Sequence, residues 1–267
     1  MHHRYLITML CSLVLLSACG HVEEASVISP RQEQATDFNK RAQRAFNRGE
    51  YQTAASLYEN ALQLDIAVEN VNGIAINALN LARVNMALGK PVQAERYLDR
   101  LLEDKSLHYA SGHLATAAVQ KSLIRLQLDD RPGAATWVEK AAGYCGPKCA
   151  ITGVIDNARA NVALRANNAD KAVYWSERAA AENKNSSPLE YSNSLRLSAS
   201  AKLMKNDDEA AFQLLNAALD VDKSLGLPEK IQQDLLLLAQ AYEKSGFTEQ
   251  AKQCRDRAAR IAAAAAK

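Results

Sequence analysis

The fold is decided by residues 49–62, which read Gly49-Glu50-Tyr51-Gln52-Thr53-Ala54-Ala55-Ser56-Leu57-Tyr58-Glu59-Asn60-Ala61-Leu62. Ala54, Tyr58 and Ala61 stand at i, i+4 and i+7, which is the spacing of one face of an α-helix. Gly49 precedes this face, and glycine tolerates the left-handed backbone at which helices end. The stretch predicts a turn followed by a helix with a small–bulky–small face.

The same pattern recurs six times. Its first alanine returns every 38 to 41 residues, at Ala54, Ala94, Ala134, Ala172, Ala210 and Ala251. The residues four and seven positions later are Tyr58 and Ala61, Leu98 and Leu101, Val138 and Ala141, Ser176 and Ala179, Leu214 and Ala217, and Arg255 and Ala258. Small residues stand twelve positions earlier, at Ala42, Ala82, Ser122, Ala160, Ser198 and Ala239, and the residues five positions earlier are Gly49, Gly89, Asp129, Asn167, Lys205 and Gly246. Such a period indicates stacked antiparallel helical hairpins.

This pattern resembles the tetratricopeptide repeat family, and residues 49–62 carry the closest match. The resemblance covers residues 35 to about 262 and implies an all-α, right-handed superhelical solenoid of about six hairpins in a domain spanning residues 35–267. The copies lack the family's early tryptophan and closing proline, and their period exceeds the usual ~34 residues. Longer helices or longer links between hairpins would explain the difference.

The N-terminus predicts export and lipidation. An apolar run from Leu6 to Leu16 is too short for a membrane-spanning helix and fits a signal peptide over residues 1–18. Leu16-Ser17-Ala18-Cys19 resembles the lipobox of bacterial lipoproteins, which implies cleavage before Cys19 and acylation of that cysteine. Residues 19–34 are polar, contain Pro30, and are expected to form a flexible stalk.

The composition and the residue after Cys19 indicate where the protein is located and which class of partner it binds. In lipoproteins of this kind an aspartate after the cysteine retains the protein in the inner membrane, and Gly20 stands there, so we expect the periplasmic face of the outer membrane. The chain has 32 Lys and Arg against 30 Asp and Glu, a net charge of +2, which gives no electrostatic footprint for nucleic acid. The expected partners are proteins.

No residue pattern points to catalysis. His108 and His113 are five residues apart, which is not the i, i+4 spacing of helical metal ligands, so no metal site is expected. The sequence has no glycine-rich phosphate loop and no nucleophile elbow. We expect neither an enzyme nor a cofactor, and no small-molecule substrate.

Cys145-Gly146-Pro147-Lys148-Cys149 allows two interpretations. It resembles the Cys-Gly-Pro-Cys of thioredoxin-like enzymes, but those have two intervening residues and a βαβ setting, whereas three residues intervene here. A structural disulfide between Cys145 and Cys149 suits an oxidising compartment, and two free thiols are the alternative. A thiol–disulfide active periplasmic protein is the rival function.

The resemblance also implies where a partner binds. In tetratricopeptide repeats the concave face is formed by fixed positions of each first helix, which here are occupied by Asn39, Gln43, Asn80, Arg83, Asn157, Asn161 and Arg165. Asn157, Asn161 and Arg165 are four residues apart and would lie along one helical ridge. By resemblance, lipoproteins of this build act as adaptors in pilus or secretin assembly, in outer-membrane biogenesis, or in the control of cell-wall enzymes.

Overall fold

The computed structural model describes residues 29–146 and 149–265, and every regular element in these ranges is an α-helix. The helices are α1 (Pro30–Asn47), α2 (Tyr51–Ala67), α3 (Val71–Ala87), α4 (Pro91–Glu103), α5 (Ser111–Gln127), α6 (Arg131–Cys145), α7 (Thr152–Arg165), α8 (Ala169–Asn183), α9 (Pro188–Met204), α10 (Asp208–Ser224), α11 (Pro228–Lys244) and α12 (Thr248–Ala265). Odd-numbered helices (A helices) and even-numbered helices (B helices) pair as six consecutive hairpins.

A residue with left-handed backbone stands in the turn of every hairpin. The φ angles are 75° at Gly49, 69° at Gly89, 57° at Asp129, 55° at Asn167, 59° at Asn206 and 81° at Gly246. Glycine adopts this conformation freely, and asparagine and aspartate are the side-chain-bearing residues that tolerate it best. The spacing that predicted these turns is therefore confirmed in five of the six hairpins.

The fifth hairpin corrects the predicted register by one residue. Its left-handed residue is Asn206, whereas Lys205 has φ −88° and ends α9. The buried face of α10 is likewise Ala211, Leu215 and Ala218, in place of the predicted Ala210, Leu214 and Ala217. At each of these positions the sequence has two identical residues in a row, which are Ala210-Ala211, Leu214-Leu215 and Ala217-Ala218. Only the turn residue therefore distinguishes the two registers.

The core is built from alanines and a few large side chains at the hairpin interfaces. Ala54, Ala94 and Ala134 are fully buried, and Tyr58 is the largest fully buried side chain. Buried apolar residues form successive clusters that join neighbouring hairpins from α1 to α12. Such nearest-neighbour packing is what defines a solenoid.

The A helices line the inner side of the curve. Each A helix packs on the B helices next to it in sequence, and α1, α3, α5, α7 and α9 also pack on one another in that order. Among the described residues the main packing of the B helices is with their sequence neighbours alone. Because the A helices approach one another and the B helices diverge, the A helices form the concave face.

The first helix begins earlier than predicted. The Ser29 side chain accepts a hydrogen bond from the Gln32 backbone N–H, and the Gln32 side chain accepts one from the Ser29 backbone, so Pro30 opens a capped helix. Residues 30–34, assigned above to the stalk, therefore belong to α1. The predicted signal peptide, Cys19 and residues 20–28 lie outside the described residues. None of the described helices has the length and apolar character needed to span a membrane.

Candidate functional site

A groove of about 470 Å³ runs across four A helices on the concave face. It is lined by side chains of α5, α7, α9 and α11, which are Val119, Leu123, Val154, Asn157, Ala158, Asn161, Leu164, Glu190, Asn193, Arg196, Leu197, Ser200, Lys230, Gln233 and Leu237. Leucines and valines supply much of its wall, and asparagines supply neutral polar groups between them. Eight of the fifteen lining residues are polar or charged, so the groove offers both apolar contacts and hydrogen-bonding groups.

Asn157 carries an unmet hydrogen-bond acceptor at this groove. Its amide nitrogen donates to the backbone carbonyl of Glu190 at 3.0 Å and to Glu190 Oε2 at 3.0 Å, which fixes the side chain between α7 and α9. The residue is 94 % buried, since its exposed fraction is 6 %, and Asn157 Oδ1 has no partner among the described residues. This oxygen is enclosed by the protein, so the role of Asn157 that the contacts show is to fix α7 against α9 beside the groove.

A buried ionic cluster of Arg196, Asp222 and Asp234 lies next to the groove. The guanidinium of Arg196, 4 % exposed, donates to the carboxylates of Asp222 and Asp234 and to the hydroxyl of Ser192. Asp222 and Asp234 are both fully buried. Burial is the main cause that raises the pKa of Asp234 to about 6, against the opposing effect of Arg196. The cluster ties α9 to α10 and α11, and the sequence prediction did not include it.

Lys230 adds a half-buried ammonium to the same groove. Burial is the main reason that its pKa is lowered, and the neighbouring positive charge of Arg196 acts in the same direction. Its nearest polar contact is a long hydrogen bond to Gln233 Oε1 at 3.4 Å. Lys230 therefore lies at the groove without a close carboxylate of its own among the described residues.

Asn157 and Asn161 line the groove as predicted for a ridge, but Arg165 does not. Arg165 ends α7, and its Nη2 donates to the backbone carbonyl of Leu126 at 3.4 Å and lies 3.5 Å from Asp129 Oδ1. The long side chain thus reaches back to the turn of the preceding hairpin. Arg165 therefore lies at the end of α7, outside the groove lining, and its predicted role in binding stays a prediction.

Comparison with solved structures identifies the architecture. RapI in its apo form superposes with a TM-score of 0.68 at 13 % identity, over 88 % of this chain and 86 % of that one. A Rap protein complexed with competence and sporulation factor gives 0.61 at 13 % identity, over 88 % and 67 %. A Podospora anserina putative kinesin light chain with nearly identical TPR-like repeats gives 0.53 at 16 % identity, over 74 % and 99 %. This chain has the tetratricopeptide repeat fold. No protein-family model and no curated protein matches the sequence.

The other predicted residues of the tetratricopeptide concave face lie on α1 and α3, and three of them form hydrogen bonds within the first two hairpins. Asn39 Nδ2 donates to Asn77 at 2.6 Å, and Gln43 Oε1 accepts from Arg83 at 2.8 Å and from Tyr58 at 3.1 Å. Asn80 is half-buried on α3. These contacts hold the first two hairpins together, so Asn39, Gln43 and Arg83 have a structural role in addition to any role in binding.

Asp65 is a buried carboxylate of α2 that lies next to these contacts of the first two hairpins. It accepts hydrogen bonds from Asn70 at 2.7 Å and from Asn77 at 2.7 Å, and Asn77 in turn bonds Asn39 at the surface. Burial raises the pKa of Asp65, and the hydrogen bonds from Asn70 and Asn77 oppose this rise only in part. Its Cγ lies so close to Gly73 that a Cβ built there would approach it to 2.3 Å, so Gly73 has to remain glycine.

Two findings among the described residues concern metal binding and thiol–disulfide chemistry. No group of three or more potential metal ligands occurs among them. Cys145 and Cys149 are joined as a disulfide at the end of α6, with Cα atoms 5.2 Å apart, and Gly146, directly after Cys145, has a φ of 68°. The pair lies in a helix–helix link and not at the start of a helix after a strand, which is the setting of thioredoxin-like cysteines.

We expect Cys145 and Cys149 to be oxidised in protein taken from an oxidising compartment. A thiol-blocking reagent should then modify neither cysteine until a reductant is added, which mass spectrometry of peptides can measure. Substituting both by serine should lower the free energy of unfolding by no more than about 2 kcal/mol, because a short loop restricts the unfolded chain little. Two freely alkylated thiols before reduction would contradict the expectation.

Proposed function

We propose that this protein is a non-catalytic adaptor that holds a protein partner in the groove of its A helices. It acts as a lipoprotein anchored through Cys19 at the periplasmic face of the outer membrane. The observation that carries the proposal is the groove across α5, α7, α9 and α11, whose lining combines leucine and valine side chains with the neutral polar side chains of Asn161, Asn193 and Gln233. This mixed lining suits a polypeptide, which supplies hydrogen-bonding groups and apolar side chains together.

The comparisons support a role in binding. One protein with this fold forms a complex with competence and sporulation factor. The process that this adaptor serves belongs to the cell envelope, in pilus or secretin assembly, in outer-membrane biogenesis, or in the control of cell-wall enzymes. That assignment rests on the lipobox-like sequence at residues 16–19 and on the helical solenoid that follows it in the sequence.

A groove variant tests the proposal. Leu123→Ser together with Asn161→Ala should leave the helix content unchanged, because Leu123 is 40 % exposed and Asn161 is half-buried. Both side chains line the groove. A photoreactive residue placed at Gln233 should give a discrete covalent conjugate in intact cells, and the groove variant should lower its yield by about tenfold, the loss of roughly 1.4 kcal/mol of binding free energy.

The matched control carries two exposed apolar substitutions on B helices, Val92→Ser and Tyr174→Ser. Val92 is 61 % exposed on α4 and Tyr174 is 57 % exposed on α8, away from the concave face. The control should keep the full yield of conjugate. Equal yields from the two variants would show that the partner binds outside the groove.

A further inference from the structure

A second depression, the convex cleft, lies between the B helices α2 and α4. Two cavities of about 580 and 820 Å³ lie along it, and the side chain of Arg96 lines both of them. Ile74 and Ala78 of α3 contribute to the larger cavity, whose walls come from α2 and α4. The cleft runs from Val92, next to the turn of the second hairpin, to Glu103 at the end of α4. Because B helices form its walls, it opens on the side opposite to the concave groove.

The corresponding spaces in the next two hairpins are filled by charged and aromatic side chains. Lys121 of α5 lies with Nζ 4.3 Å from the ring centroid of Trp137 on α6, and it also pairs with Asp99 on α4. Arg159 of α7 lies 4.5 Å from the ring centroid of Trp175 on α8 and also pairs with a carboxylate on α6. A cation of the A helix thus bridges α4 to α6, and another bridges α6 to α8.

The second hairpin has smaller residues at these two positions. Leu81 and Tyr97 stand 40 positions before Lys121 and Trp137. Leu81 is fully buried and carries no charge, and Tyr97 donates its hydroxyl to Glu59 of α2 at 3.1 Å. No cation of α3 therefore bridges α2 to α4 among the described residues, which explains why the cavities lie between these two helices.

Two arginines along the cleft have no carboxylate partner in the part of the chain that the structure describes. Arg96 and Arg100 are exposed and one helical turn apart on α4. The neighbouring acidic residues of α4, Glu95 and Asp99, pair with cations of α5 instead. Arg100 lies 5.8 Å from the ring centroid of Tyr97, near the outer limit of about 6 Å for a cation–π contact. Both guanidinium groups are available to carboxylates of another molecule.

The opposite end of the cleft is acidic. Glu69, Glu103 and Asp104 line the larger cavity at that end. Hydrogen bonds from the side chain and backbone of Ser106 lower the pKa of Asp104, so its carboxyl group is ionised at neutral pH. The cleft therefore carries positive charge along α4 and negative charge where α4 ends.

We propose that the convex cleft binds one amphipathic helix of a second partner protein, antiparallel to α2 and α4, with carboxylates on the half of that helix that faces Arg96 and Arg100. Both walls run from the basic end of the cleft to the acidic end. An antiparallel helix places its N-terminus, the positive end of its dipole, beside Glu69, Glu103 and Asp104. α3 already packs on α2 and α4 in this direction from the concave side.

The size and the apolar residues of the cleft fit a short helix. α4 has 13 residues, which corresponds to about 20 Å at a rise of 1.5 Å per residue. Val92 is 61 % exposed and Ile66 is 47 % exposed, and Leu107 is half-buried in the larger cavity. Apolar residues at i, i+3, i+4 and i+7 of a docked helix meet such side chains. A helix also satisfies its own backbone hydrogen bonds, which helical walls do not do for an extended strand.

Photocrosslinking from position 92 of the full-length protein in intact cells tests the proposal. A photoreactive residue replaces Val92, and mass spectrometry identifies the crosslinked peptides. We expect one discrete conjugate that maps to an acidic, amphipathic helical segment of another protein. Arg96→Glu with Arg100→Glu should lower its yield about tenfold, the loss of roughly 1.4 kcal/mol of binding free energy. Because both arginines are exposed and lack a carboxylate partner among the described residues, the helix content should not change.

Two comparisons show whether the charges of the cleft are responsible. Lys252→Glu with Arg260→Glu makes the same change of charge at exposed positions of α12 and should keep the full yield. A synthetic peptide of the mapped segment should bind the purified parent protein. The same peptide with its acidic residues replaced by lysine should bind the parent about tenfold more weakly and recover affinity for Arg96→Glu with Arg100→Glu.

The absence of a discrete conjugate would overturn the proposal, and so would a segment that is not helical. A conjugate of the chain with itself would show that a second copy covers the cleft and would also overturn it. Equal yields before and after charge reversal would have the same consequence. The conjugate from position 92 should be unchanged by Leu123→Ser with Asn161→Ala, so failure of the concave groove as a binding site would be recognised separately.

Discussion

Substituting Arg196 by methionine should lower the free energy of unfolding by about 3–5 kcal/mol. Arg196 is the cation that bonds both Asp222 and Asp234, and these two carboxylates are fully buried. Methionine occupies similar space but leaves two adjacent buried carboxylates without their shared positive charge. Urea unfolding at pH 7, followed by circular dichroism, measures the loss.

The control is Arg178→Met, which removes one cation from the equally buried Asp156. Arg159 remains within 3.3 Å of that carboxylate, and the Arg178 side chain is 41 % exposed, so the expected cost is about 1 kcal/mol or less. Adding Asp222→Leu and Asp234→Leu to Arg196→Met should recover most of the loss, because no buried charge then remains. A cost below about 1 kcal/mol for Arg196→Met alone would show that the cluster does not stabilise the last two hairpins.

Substituting Cys19 by alanine should move the protein from the membrane fraction to the soluble fraction, or leave it as an unprocessed precursor. Acylation supplies about 0.8 kcal/mol of membrane affinity per buried methylene, and a single chain is already marginal, so loss of every chain abolishes stable anchoring. Fractionation of cells and gel migration of the variant measure the change.

Two further variants complete the test of acylation at Cys19. Cys254→Ala should fractionate like the wild type, because Cys254 is a buried thiol in α12 and not a site of attachment. Gly20→Asp should shift the protein from the outer to the inner membrane, as the resemblance to bacterial lipoproteins implies. Wild-type fractionation and migration of Cys19→Ala would contradict the lipidation argument.

The repeat made the fold predictable from sequence because each hairpin depends on local rules. A small–bulky–small face requires only helical spacing, and the turn requires a residue that accepts positive φ. The one error of register, in the fifth hairpin, arose where Ala210-Ala211 and Leu214-Leu215 fit two registers equally. Asn206 beside Lys205 was the signal that could have resolved it, because asparagine tolerates the turn and lysine does not.

The groove was predictable only in part. Asn157 and Asn161 followed from helical position, which the resemblance supplied. The ionic cluster did not, because Arg196, Asp222 and Asp234 come from three helices and pair across 26 and 38 residues of sequence. A charged residue between Leu195 and Leu197 was the available signal. The direction of the Arg165 side chain depended on Asp129 of another hairpin, which no local pattern reveals.

The Tyr51 hydroxyl on α2 donates to Glu229 Oε1 on α11 at 3.4 Å, which joins the first hairpin to the sixth. An open-ended stack of hairpins tolerates gain or loss of a unit, because each unit touches only its neighbours. Here a deletion of one unit of about 40 residues would leave the two ends facing each other across a gap, and a duplication would carry them past each other. A variant that lacks one hairpin therefore cannot keep this hydrogen bond while its remaining hairpins keep their packing.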